Sequence, residues 1–113
     1  MSSKDKRIYL RDILGCIEDI GTFLGDKSFD DYQADALTRA AVERKMQIIS
    51  EAAFRLGEDA ETLCPGPDWS GARGMGNVLR HEYNRISDEI IWAAIKDKLP
   101  SMRDAILKAL EEV

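Results

Sequence analysis

Leu10-Arg11-Asp12-Ile13-Leu14-Gly15-Cys16-Ile17-Glu18-Asp19-Ile20-Gly21-Thr22-Phe23-Leu24 decides the fold class. Leu10, Ile13, Leu14, Ile17, Ile20 and Leu24 recur at intervals of three and four residues. At 3.6 residues per turn that spacing draws one apolar stripe down a helix, whereas a half-buried strand would need strict alternation. Cys16 falls on the same stripe and reads as a small buried hydrophobe. Gly25 follows the last apolar residue, where a helix most readily closes through a left-handed backbone turn.

The rest of the chain repeats this pattern. Ser28 precedes Phe29-Asp30-Asp31, a cap with acid in the first turn, where the helix dipole favours negative charge. Leu37, Ala41, Met46, Ile48, Ile49, Ala52 and Leu56 then predict the buried side of one long helix reaching about Leu63. Cys64-Pro65-Gly66-Pro67-Asp68 stops it, because two prolines and a glycine do not continue a helix. Trp69-Ser70-Gly71-Ala72-Arg73-Gly74-Met75-Gly76 holds three glycines in six residues. It reads as an irregular helical turn or a tightly packed crossing. A helix follows from about Asn77, with Ile86, Ile90, Ile91, Ala94 and Ile95 carrying its stripe to about Lys98. Leu99-Pro100-Ser101 marks the last boundary, and Met102, Ile106, Ala109, Leu110 and Val113 form the inner face beyond it. The expectation is an all-α fold, an up-and-down bundle of four to five helices, with residues 1–113 as a single domain.

Composition agrees. A chain of 113 residues buries roughly two-thirds of its unfolded surface, enough for its own core. With 44% hydrophobic and 33% charged residues, it lies outside the disordered class. There is no apolar run long enough for a membrane span and no apolar stretch of signal-peptide type behind Met1–Arg7. Cys16 and Cys64 form no CxxC pair, so the expected setting is the reduced cytoplasm. The net charge of −5 argues against coating a nucleic acid duplex. Arg73, Arg80 and Arg85, opposed nearby only by Glu82, make a small basic island. Such an island either contacts a few phosphates or is an ordinary solvated helix face.

The one histidine, His81, lies in Gly76-Asn77-Val78-Leu79-Arg80-His81-Glu82-Tyr83. Imidazole is the side chain whose ordinary pKa lies near neutral pH. At 100° per residue Asn77, His81 and Asn84 share one face, while Arg80 and Tyr83 share another. Arg80 still reaches a ligand beside His81 through its long stem, and Tyr83 lies roughly opposite. The structural alternatives are a histidine bonded to Asn77 or to a neighbouring helix, and a buried Tyr83 with a satisfied hydroxyl. Arg44 and Glu51, seven residues apart, are expected in an internal polar network that sets helix register. Trp69 and Trp92 are expected as core or interface anchors. No cluster of Asp, Glu, His or Cys has metal-ligand spacing.

Taken together, Asp68-Trp69, Arg80-His81-Glu82-Tyr83 and Ile91-Trp92 followed by Leu99-Pro100 resemble the HepT-like toxin family, within the HEPN group of helical ribonucleases. Ser50-Glu51-Ala52 is similar to that family's Gly-Glu-Ala signature, with serine for glycine. The chain departs from the family at Gly76, which occupies the arginine slot five residues before the histidine. The resemblance implies a metal-independent endoribonuclease without cofactor, acting as the toxin of a toxin–antitoxin pair. His81 would serve as general acid/base for attack by the RNA 2′-hydroxyl, with Arg80, supported by Arg73, on the phosphate. Asn77 would orient the imidazole or the substrate, and Tyr83 would supply a phenol at the site. One imidazole per chain suggests a homodimer sharing a cleft. The resemblance carries a second implication: a minimal nucleotidyltransferase antitoxin as partner, which would adenylylate Tyr83. In that case the chain would be a non-catalytic binding subunit and modification substrate.

Overall fold

The computed structural model describes residues 3–81 and 87–111, with side chains described for 6–79 and 88–111. Among the described residues there is helix and no strand. The elements are α1 (Ser3–Leu24), α2 (Phe29–Ala34), α3 (Ala36–Leu56), α4 (Asp59–Leu63), α5 (Trp69–His81), α6 (Ser87–Asp97) and α7 (Leu99–Glu111). The class is all-α, as the periodicity of the first helix requires. None of these helices is long and apolar enough to cross a membrane.

Helix α1 buries Leu10, Ile13, Ile17, Ile20 and Leu24, and Cys16 lies among them. Each such side chain removed from water contributes about 1.5–3 kcal/mol. Helix α3 lies at the centre. It packs along both α1 and α5 and buries Val42, Met46, Ile49, Ala53 and Leu56. Helix α7 returns to α1 and also packs on α6, burying Leu99, Met102 and Ile106. Ile86 and Val113, placed on the apolar stripes by their spacing, fall outside the described residues.

The long helix expected up to Leu63 is three helices. Ser28 starts α2 with a reciprocal cap: its hydroxyl accepts from the Asp31 N–H at 3.1 Å, and the Asp31 carboxylate accepts from the Ser28 N–H at 3.3 Å. Asp35 ends α2 in an extended conformation and caps α3, accepting from the Thr38 N–H and hydroxyl at 3.1 and 2.6 Å. Those two bonds hold its carboxyl below the ordinary value. Leu37, expected in the core, is 82% exposed, because in the register of α3 it lies on the side away from Val42, Met46 and Ile49. Gly57 ends α3 at φ +58°, a conformation in which L side chains are strained.

The glycine-rich segment is a regular helix rather than an irregular turn. Asp68 precedes it and accepts from the Gly71 N–H at 2.9 Å. A side chain at Gly71 would collide with that carboxylate, so the glycine there serves close approach and does not break the helix.

Candidate functional site on helix α5

Three contacts anchor α5. Trp69 is 1% exposed, and its indole N–H donates to the Cys64 carbonyl at 2.8 Å. Further along, the Ser50 hydroxyl of α3 donates to the Arg73 carbonyl at 3.0 Å and accepts from the Gly76 N–H at 3.1 Å. Gly76 is buried at this crossing. Ser50, at 2% exposure, is the one buried polar or charged residue among the described positions. A short hydroxyl side chain facing a residue with no side chain lets the two helices approach within a single hydrogen bond.

The outward side of α5 carries Ser70, Gly74 and Asn77, all exposed. A residue added at Gly74 would meet open space. The helical backbone continues to residue 81, so position 81 falls one turn beyond Asn77 in the register of that outward side. The side chains of Arg80 and His81 lie outside the described residues, as does Tyr83 altogether. Arg73 does not point along this side. Its guanidinium donates to the Gly57 carbonyl and to Glu61, both at 3.4 Å, which ties α5 to the α3–α4 junction.

Arg44 and Glu51 form no internal network. They pair at 3.8 Å across the surface of α3, each more than half exposed. A buried polar contact between helices is made instead by Ser50, which the family signature picked out but to which the sequence assigned no packing role. The signal for it was present: Ser50 sits in helical register with Met46 and Ala53, on an otherwise apolar side of α3.

A cavity of about 390 Å³ lies under the other flank of α5, lined by residues including Met46, Ile49, Ala72, Met75, Ile90 and Met102. Its lining is mostly apolar but includes Asp68, Asp97 and Lys98, and neither Arg73 nor Asn77 contributes to it. Two carboxylates against one ammonium make it a poor seat for a polyanion.

The described titratable groups leave little other chemistry. Burial pushes the Cys64 thiol up to about 11 and raises Cys16 as well, so both stay protonated and unreactive near neutral pH. Tyr32 is fully buried against Trp92 at 5.4 Å between ring centroids. Its hydroxyl has no hydrogen-bond partner among the described residues. Burial, reinforced by Glu43 and Asp88, raises its pKa far above the phenol range. Trp92 also packs edge-on to Phe29 at 5.6 Å and carries the Lys96 ammonium 4.8 Å from its ring, a core anchor as its spacing suggested. No group of three or more His, Cys, Asp or Glu side chains among the described residues is placed to hold a metal ion.

Residues 13–109 match the family model described as ribonuclease HepT-like. A Methanocaldococcus jannaschii protein named "Putative RNase MJ0127" is 36% identical over 113 residues, covering 100% of this chain and 90% of its own. A Thermococcus cleftensis protein named "Probable ribonuclease HepT" is 33% identical over 95 residues, covering 84% of this chain and 86% of its own. No solved structure matches the chain.

Proposed function

The chain belongs to the HepT-like ribonuclease family, and from that premise we propose that it cleaves RNA through His81, as the toxin half of a cytoplasmic toxin–antitoxin pair. The observation that carries this reading is α5 itself. Its backbone brings Asn77 and position 81 to one outward side, beside a bare glycine surface that a ribose-phosphate backbone can approach. RNA supplies its own nucleophile. The imidazole of His81 takes the 2′-hydroxyl proton, the 2′-oxygen attacks phosphorus, and the bond to the 5′-oxygen breaks. An imidazolium returns a proton to that leaving oxygen, giving a 2′,3′-cyclic phosphate and a free 5′-hydroxyl. Arg80 neutralises the charge that builds on the phosphoryl oxygens. Arg73 assists after exchanging Glu61 for phosphate. Their half-exposed pair is worth about 0–1 kcal/mol and opposes that exchange weakly. With one histidine per chain, the acid and the base come from two subunits of a homodimer.

A second reading is favoured by the buried glycine at position 76, where the resemblance expects an arginine. In it the chain does not cut. It is the binding subunit of a minimal nucleotidyltransferase, which transfers adenylate from ATP to the Tyr83 oxygen and releases pyrophosphate. One experiment separates the two. Purified protein is incubated with RNA, and separately with the neighbouring gene product and ATP. Cyclic-phosphate ends that vanish in His81→Ala support cleavage. Intact RNA together with an adenylate mass gain lost in Tyr83→Phe supports the second reading.

A further inference from the structure

We propose that Ser50 is a positioning residue for the His81 end of α5, an inference that rests on the cleavage reading above. Its hydroxyl is a buried polar group that the proposed chemistry does not use, and both of its bonds go to the backbone of the helix that carries the histidine. It donates to the Arg73 carbonyl and accepts from the Gly76 N–H, three residues apart on successive turns. A side chain that binds both a carbonyl and an amide of one helix restrains its rotation as well as its translation along α3. Apolar contacts at the same crossing restrain neither so sharply, because dispersion has no directional preference. Position 81 lies five residues past Gly76 on the same continuous helix. A small rotation at the bracket therefore swings Asn77 and position 81 together. Acid–base catalysis responds steeply to such displacement.

Ser50→Ala removes the hydroxyl and leaves the packing nearly unchanged. The control is Ile106→Val, which trims a fully buried side chain on α7, outside the α3–α5 crossing. Three properties are compared among wild type and the two variants: RNA cleavage kinetics, the titration of the single imidazole by NMR, and amide exchange at Gly76. Ser50→Ala is expected to lower kcat about 10-fold or more with KM held within about twofold. It is also expected to speed exchange at Gly76 and to displace the imidazole midpoint. Ile106→Val is expected to lower thermal stability and leave all three near wild type. If Ser50→Ala behaves like Ile106→Val in kcat and in the imidazole midpoint, the positioning role is overturned. If wild-type protein leaves RNA intact, the cleavage reading fails instead, and an imidazole midpoint unmoved by Ser50→Ala then overturns the Ser50 role independently. Should Ser50→Ala not fold, Ser50→Thr retains the hydroxyl, and its failure to keep wild-type exchange at Gly76 counts against the bracket.

Discussion

Two seams meet on α3, and they are built differently. Against α1 two long apolar stripes meet, flanked by the Lys45–Asp19 ion pair at 2.9 Å and by the Lys6 ammonium donating to the Leu56 carbonyl at 3.2 Å. Against α5 it combines a buried glycine and the two hydrogen bonds of Ser50. The first seam rests on apolar stripes, and such a surface tolerates small adjustments of one helix along the other. The second adds directional bonds at its centre. The difference separates stability from placement: the seam with the directional bonds is the one that aims the candidate site.

The largest expected effects test that division. Trp69→Ala should cost about 3–5 kcal/mol, and Ile13→Ala about 2–5 kcal/mol, both measured by chemical denaturation. Cleavage per folded molecule should fall for Trp69→Ala and stay unchanged for Ile13→Ala. Equal losses of specific activity would erase the distinction between the seams.

Filling the second seam should be milder. Gly76→Arg restores the residue type expected from the family resemblance, but at a buried position against α3. Overpacking of that kind should destabilise by about 1–3 kcal/mol, partly offset by the better helix propensity of arginine. A melting temperature equal to or above that of wild type would show room at the crossing that the buried position does not suggest.

The smallest effect is electrostatic and lies away from both seams, where α3 faces α6. Burial raises the Glu43 carboxyl above its ordinary value of 4.5, and Asp88 adds to the rise while Arg39 opposes it. A carboxyl raised by folding favours the folded state when protonated. Its stability contribution is therefore complete below 4.5 and lost as pH climbs through the raised value. Glu43→Gln should raise the melting temperature at neutral pH, with the gain shrinking in acid. A gain independent of pH would assign the effect to packing.

The fold was legible where burial has a period. The stripe of α1, the Ser28 cap and the Pro65–Pro67 break all stand as read. The breaks at Asp35 and Gly57 were not legible, because an aspartate and a glycine inside an apolar pattern are each tolerated by a continuous helix. Their turns are closed by the Asp35 bonds to Thr38 and by the positive φ of Gly57. Of the two readings of Trp69–Gly76, the tightly packed crossing holds and the irregular turn does not: Gly71 accommodates the Asp68 carboxylate and Gly76 the Ser50 hydroxyl. The motif around His81 was legible as a motif. The contacts that hold it were not, since Ser50 lies 26 residues from Gly76 in sequence and no local pattern links them.

The central claim, that His81 drives attack by the RNA's own 2′-hydroxyl, is tested most directly with two matched oligoribonucleotides. One is all-ribose, and the other carries a single 2′-deoxy nucleotide on the 5′ side of the mapped cleavage site. Wild-type protein should cut the first to a cyclic phosphate and leave the second intact at that position, while His81→Ala leaves both intact. Cutting of the deoxy-substituted strand at the same bond, or equal cutting by His81→Ala, would contradict the account.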